Sequence, residues 1–142
     1  MIKANGLKPG DLVRVCGDNW QIKKGTICEI LSIDLFYKYC SELDWVTVYN
    51  PNSYIDKVRL ICKDIEGIPL TPEILEKNGW KRDKLVSYIY GHEAHFIEVI
   101  CTPNSEWVYV TFKGETIHRI KYVHELQHIL WALGLDAELK IE

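Results

Sequence analysis

Residues 7–31 read LKPGDLVRVCGDNWQIKKGTICEIL. Apolar side chains recur at every second position in two parts of this stretch, at Val13 and Val15 and again at Cys28 and Ile30. Each part is bounded by Gly, Asp or Pro, which are residues that favour turns. A period of two predicts strands with one buried face, so the stretch predicts two antiparallel strands that begin a small β-barrel.

The rest of the chain predicts further strands and two helices. Strand candidates follow at residues 44–50 (DWVTVYN), 54–62 (YIDKVRLIC), 85–91 (LVSYIYG), 95–102 (HFIEVICT) and 106–113 (EWVYVTFK). Between the two groups of strands, Thr71 can cap a helix whose first residue is Pro72, and this punctuation predicts a short helix over 72–78. A second apolar pattern that stops at Gly134 predicts a helix over 120–133.

Together these elements predict an α+β fold in two units. Residues 1–63 form a small β-barrel, and residues 64–142 form an antiparallel sheet with both helices. The stretch 7–31 resembles the SH3-like barrels of the ribosomal-protein KOW type, in which a Gly-Asp turn opens one strand and a Lys-Gly turn opens the next. Such barrels bind RNA, bind proteins or bind nothing, so the resemblance implies an SH3-like fold without implying a function.

Length and composition are those of an ordinary globular protein. Of its 142 residues 47% are apolar and 26% are charged, and no apolar run approaches the roughly 20 residues of a membrane helix. The start, MIKANGLKPGD, lacks the apolar stretch of a signal peptide, which predicts a cytoplasmic protein without a membrane partner. The net charge is −3 and the lysines are scattered among acids, so there is no strong nucleic-acid signal.

The cysteines predict no disulfide framework and no thiolate metal site. They are five in number, widely spaced and free of any Cys-x-x-Cys pair. Reduced thiols that take part in packing are the expectation for such a set. The residues concerned are Cys16, Cys28, Cys40, Cys62 and Cys101.

Two later motifs carry a second resemblance. IPLTPEILEKNGW at 68–80 and YVHELQH at 122–128 are similar to segments of a family of small proteins from gut Bacteroidales, their phages and their mobile elements. In that family a Pro-Leu-Thr-x-Glu-Ile-Leu segment ends in Gly-Phe or Gly-Trp, and the chain closes on a Tyr-x-His-x-Leu-Gln helix. The resemblance implies a phage or mobile-element accessory protein, which would act in the cytoplasm of the host cell.

Residues 124–128, HELQH, match the H-E-x-x-H signature of zinc metallopeptidases. His124 and His128 lie one helical turn apart and Glu125 could serve as general base, but no known spacing supplies a third protein ligand. In the family that the chain resembles, the second His is often Asn and the Glu is often Gln, exchanges that would abolish a metal site. We therefore expect no cofactor, with zinc as the alternative.

The position of this motif on its helix also disfavours a metal site. A helical wheel places an apolar stripe on one side, made of Val123, Leu126, Leu130 and Leu133. The stripe is wide enough to dock the helix on a sheet. The histidine pair then falls on a solvated or interface face.

Candidate ligand-binding residues are aromatic, basic or histidine side chains in the second unit: Trp80, Arg82, Tyr90, His92, His95, Trp107 and Arg119. The aromatic rings could stack a base while Arg or His meets a phosphate. The first hypothesis is a non-catalytic phage or mobile-element binding protein that sequesters a host nucleotide immune signal. The alternatives are a zinc-dependent metallopeptidase and an SH3-like adaptor for RNA or a host protein. The oligomeric state stays open, with a homo-oligomer among the alternatives.

Overall fold

The chain has an α+β fold with two antiparallel sheets. The computed structural model describes residues 2, 6–34, 44–50 and 55–142. Cys40, Tyr54 and most of residues 1–5 lie outside the described residues. The chain divides into two compact units, Met1–Ile68 and Pro69–Glu142. No helix in the described part of the chain is long and apolar enough to cross a membrane.

The first unit contains one five-stranded sheet. Its strands are Leu12–Val15 (β1), Ile27–Asp34 (β2), Trp45–Tyr49 (β3), Lys57–Ile61 (β4) and Ile65–Gly67 (β5). They lie in the order β4-β3-β2-β1-β5, and every neighbouring pair is antiparallel. The alternation in residues 7–31 is confirmed, because Val13, Val15, Cys28 and Ile30 all lie in the buried core of this sheet.

The first unit differs from the predicted barrel in two ways. The outer strands β4 and β5 are not paired with each other in the described residues, so the sheet is open. The predicted boundary at 63/64 falls inside the unit, because Cys62–Asp64 form a 3-10 turn and β5 then pairs with β1. The strand β5 has only three residues, Ile-Glu-Gly, which is too short a run to show the alternation that sequence reasoning relies on.

The second unit contains the other five-stranded sheet and both α-helices. Its strands are Lys81–Arg82 (β6), Ile89–His92 (β7), His95–Ile100 (β8), Val108–Phe112 (β9) and Glu115–Ile120 (β10). They lie in chain order from β10 to β6, all antiparallel. The helices are Pro72–Lys77 (α1) and Val123–Ala132 (α2).

Helix α1 starts and stops where its sequence provides hydrogen-bond partners. The Thr71 hydroxyl accepts the Ile74 N–H at 3.4 Å, and Pro72 occupies the first turn. At the other end Gly79 has a φ of +83°, which lets its N–H donate to Glu76 O at 3.1 Å. The N–H of Trp80 donates to Leu75 O at 3.0 Å, which completes the cap and directs Trp80 into the interior.

Helix α2 starts later than the predicted residue 120. Ile120 is the last residue of β10 and is buried, and the helix begins at Val123. Val123, Leu126 and Leu130 are buried as the stripe predicted, but Leu133 follows the helix and is exposed. The prediction that the histidine pair lies on a solvated or interface face is wrong for His124, because only 5% of its surface is exposed to solvent. Its ring stacks on that of Tyr122, with the centroids 5.6 Å apart.

The C-terminal tail is fastened to the end of α1 by Asn78 and Lys77, and the Lys77 ammonium group donates to Ile141 O at 3.2 Å. The Asn78 amide donates to Lys140 O at 2.7 Å and to Ile74 O at 2.8 Å, and its oxygen accepts the Lys140 N–H at 2.7 Å. The Gln127 amide of α2 donates to Ala137 O at 3.2 Å. Polar residues of both recognised motifs therefore hold the second unit together.

Candidate functional site

The second unit carries a groove of about 420 Å³, here called the α1–β7 groove. Its lining residues come from the start of α1, from β6, β7 and the turn before β7, and from the start of β9 with the β8–β9 connection. They are Leu70, Thr71, Pro72, Arg82, Ser87, Tyr88, Tyr90, Cys101, Thr102, Pro103, Ser105, Glu106 and Val108. The walls are therefore partly apolar, with hydroxyl groups and one guanidinium, the composition expected of a small-molecule site.

Arg82 is the positively charged residue of this lining, and its guanidinium is fixed from two sides. Its Nε donates to the Tyr90 hydroxyl at 3.2 Å, and an Nη donates to Glu76 Oε1 at 3.4 Å. The strand pairing Arg82↔Tyr90 explains the first contact, because directly opposite residues of an antiparallel pair share a face. The hydrogen bond that Arg82 donates to Tyr90 and the charge of Glu76 both raise the pKa of Arg82.

The turn before β7 presents Ser87 and Tyr88 to the groove. Asp83 Oδ1 accepts the N–H groups of Leu85 and Val86 at 2.7 and 2.9 Å, and these hydrogen bonds lower the pKa of Asp83. The predicted strand 85–91 is therefore shorter than expected, because an Asx turn occupies its first half. The Tyr88 ring remains 40% exposed beside the groove.

Cys101 lines the groove as a protonated thiol. Burial raises its pKa to about 11, and the negative charge of Glu73 adds to the shift. A thiol of this kind is a poor nucleophile, because the thiolate is the reactive form. The lining residues that the structure describes include no histidine and no lysine that could deprotonate it.

Trp80, His92 and His95 form a separate cluster beside the β7–β8 turn. The two imidazole rings stack with centroids 4.6 Å apart, and the Trp80 ring lies 5.5 Å from His92 and 4.9 Å from His95. The His92 Nδ1 accepts the Ala94 N–H at 3.1 Å. Burial, with a further contribution from His92, lowers the pKa of His95. None of the three lines the groove.

Trp107 and Arg119 lie on the other side of the sheet from the groove. The Arg119 guanidinium carbon is 4.2 Å from the Trp107 ring centroid. Side chains alternate along β9, so Trp107 and Tyr109 are exposed on the face opposite to the buried Val108, which lines the groove. Of the seven candidate residues, the groove therefore brings together only Arg82 and Tyr90.

The HELQH residues have structural partners. The Glu125 carboxylate accepts the N–H groups of Lys121 and Tyr122 at 2.7 and 2.9 Å, so it caps the start of α2. The His124 and His128 rings are 5.8 Å apart. Within the described residues no three His, Cys, Asp or Glu side chains come together to hold a metal ion. Glu125 is thus committed to the helix cap in this arrangement.

Sequence reasoning missed most of the groove lining. Tyr88, Thr102 and Glu106 fall in three different predicted strands, at 85–91, 95–102 and 106–113. The spacing of Asp83 from Val86 is a signal for the turn that presents Tyr88, since Asp often accepts N–H groups two and three residues on. No family model, curated protein or solved structure matches the chain.

Replacing Glu125 tests whether it acts as a cap. We expect Glu125→Ala to lower the free energy of unfolding by about 0.5–2 kcal/mol, because two N–H groups lose their acceptor. Glu125→Gln keeps an acceptor oxygen and should lose less. Urea unfolding gives both values, and Glu115→Ala on the exposed strand β10 is the control. Equal losses for the Ala and Gln variants would contradict the cap.

The histidine cluster predicts a dependence of stability on pH. Because the pKa of folded His95 lies below the value of about 6.5 in an unfolded chain, the unfolded chain binds the proton more readily. The free energy of unfolding should be highest above pH 6.5 and should fall as the pH drops below that value. In urea titrations from pH 8 to 5, His95→Phe should flatten this dependence. His118→Phe, at an exposed site, should leave it unchanged, and an equal slope for all three proteins would refute the assignment.

Proposed function

We propose that the protein is a non-catalytic binding protein and that the α1–β7 groove holds a small nucleotide. The observation that carries this proposal is the joint presence of a fixed guanidinium, Arg82, and an exposed aromatic ring, Tyr88, in one groove. A nucleotide offers a phosphate to the first and a planar base to the second. The volume of about 420 Å³ lies in the lower part of the range for small-molecule sites.

The guanidinium supports phosphate recognition because two hydrogen bonds favour one orientation while 54% of the Arg82 side chain stays exposed to a ligand. The contacts with Tyr90 and Glu76 engage two of the five N–H donors that an arginine carries. Holding a long side chain in place reduces the entropy that is lost when it binds a phosphate. Hydroxyl groups of Thr71, Ser87 and Thr102 complete a polar wall for a sugar or a base edge.

The absence of an activated nucleophile in the described groove lining supports binding without turnover. The Cys101 thiol is protonated and has no base among those lining residues. The resemblance to proteins of phages and mobile elements supports a role in which a host nucleotide signal is sequestered. A protein with this role lowers the free concentration of the signal in proportion to its own amount and affinity.

Charge removal at Arg82 tests the groove. We expect nucleotides such as 3′,5′-cyclic AMP or 3′,5′-cyclic GMP to raise the melting temperature and to be recovered intact after denaturation. Arg82→Gln should raise the Kd at least tenfold, since a hydrogen bond to a charged group contributes roughly 1.5–3 kcal/mol. Lys84→Gln, which removes the same charge from an exposed site nearby, should change the Kd less than about twofold. Recovery of a cleaved nucleotide would show an enzyme instead.

The first unit supports a second candidate function, an SH3-like interaction module. Its order β4-β3-β2-β1-β5, with a 3-10 turn before the returning strand β5, supports the relationship expected from residues 7–31. Two of its tryptophans are exposed: Trp20, at 87%, and Trp45, whose ring lies 4.9 Å from the Arg59 guanidinium carbon. Exposed aromatic side chains of this kind receive proline-rich peptides in SH3 domains.

A peptide titration tests this second candidate. We expect a labelled proline-rich peptide to bind the full chain, and Trp20→Ser to weaken the binding about tenfold or more, as loss of a central aromatic contact does at interfaces. The control is Trp131→Ser, which removes a tryptophan of similar exposure from the second unit. Binding of labelled single-stranded RNA that depends on Trp20 would favour the RNA adaptor, and no effect of Trp20 on either probe would exclude the module.

A further inference from the structure

The charges around the α1–β7 groove are limited and close to balance. Of the described lining residues, two carry a formal charge, Arg82 and Glu106. Each has a partner of opposite charge outside the lining. Arg82 contacts Glu76 at 3.4 Å, and Glu106 contacts Lys121 at 2.7 Å. The lining itself is therefore neutral.

A further carboxylate acts on the groove from the first turn of α1. The charge of Glu73 contributes, after burial, to the raised pKa of the groove residue Cys101. Backbone and Thr71 hydrogen bonds lower the pKa of Glu73 itself, with a smaller contribution from Arg82. The five groups named here, two cations and three anions, sum to one net negative charge.

We infer that the groove selects a nucleotide with a single negative charge, namely a cyclic phosphodiester of one nucleoside, over nucleotides that carry terminal phosphates. This inference rests on the proposed function. One phosphodiester charge is matched by Arg82. A second or third phosphate charge finds Glu106 and Glu73 nearby, and the described lining supplies no second cation to meet it.

The chemistry of the ligands makes the distinction large. A phosphodiester carries one charge over the whole neutral range, whereas a phosphomonoester has a second pKa near 6 and carries close to two charges at pH 8. Adenosine carries no phosphate charge and therefore does not interact with Arg82 through one. Among adenine compounds the expected order of affinity at pH 8 is 3′,5′-cyclic AMP, then 5′-AMP and adenosine, then ADP and ATP.

Isothermal titration calorimetry on the full chain tests this order, with the matching guanine series run in parallel. We expect the cyclic nucleotide to bind at least about tenfold more tightly than 5′-AMP at pH 8. Glu106→Gln should bring 5′-AMP to within about threefold of the cyclic form, while Glu115→Gln, on β10 outside the groove, should leave the ratio unchanged. Repeating the ATP titration with Mg²⁺ and with a chelator shows whether a bound cation alters the order.

The pH provides an independent readout. Lowering the pH from 8 to 5.5 protonates the 5′-AMP phosphate and should move its affinity towards that of the cyclic nucleotide, which serves as the control for changes in the protein. ATP or 5′-AMP binding as tightly as the cyclic form, in either metal condition, would overturn the charge selection and leave the nucleotide site standing. Failure of every nucleotide to bind, or a Kd that Arg82→Gln leaves unchanged, would refute the proposed function itself.

Discussion

The cap that Glu125 provides joins the end of β10, the start of α2 and the groove. By accepting the N–H groups of Lys121 and Tyr122, it fixes the point at which β10 ends and α2 begins. Lys121, held there, accepts the Leu70 N–H through its carbonyl at 3.0 Å and pairs with Glu106 through its ammonium group. The cap at the start of α2 therefore positions two walls of the groove, one before α1 and one before β9.

The two motifs that distinguish this sequence act chiefly in its architecture. Thr71 and Gly79 delimit α1, Asn78 and Gln127 hold the C-terminal tail, and Glu125 caps α2. The Glu of the H-E-x-x-H match has a structural role here, since helix starts favour a carboxylate at the third position. Three groove residues, Leu70, Thr71 and Pro72, belong to the first motif, and the other lining residues lie between the two motifs.

Local physics made part of the fold predictable from the sequence. The alternation at Val13, Val15, Cys28 and Ile30 predicts a buried strand face. Thr71 and Pro72 predict the start of α1. The start of α2 was misplaced because the cap is made by a side chain that follows it in the sequence. The burial of His124 was missed because a helical wheel does not show which neighbours cover each side.

The groove could not be assembled from the sequence, because its lining comes from separate segments between Leu70 and Val108. Successive side chains of a strand point to opposite faces, and the register sets which face each one joins. Arg82 therefore lies in the groove, and Trp107 faces away from it. The predicted list of aromatic, basic and histidine residues therefore draws on three different surfaces of the second unit. Only two of its seven members, Arg82 and Tyr90, share the groove.

The link between α1 and the tail also makes the protein sensitive to chemical ageing. Asn-Gly is the dipeptide in which the following nitrogen attacks the side-chain amide most readily, which converts Asn to Asp or isoaspartate. In the fold the Gly79 nitrogen is engaged with Glu76 O, and the Asn78 amide is held by Ile74 and Lys140. A heated or unfolded chain loses that protection, and a carboxylate at position 78 could no longer donate to the two carbonyls. Deamidation would thus remove the Asn78 contacts and leave the tail with the hydrogen bonds from Gln127 and Lys77.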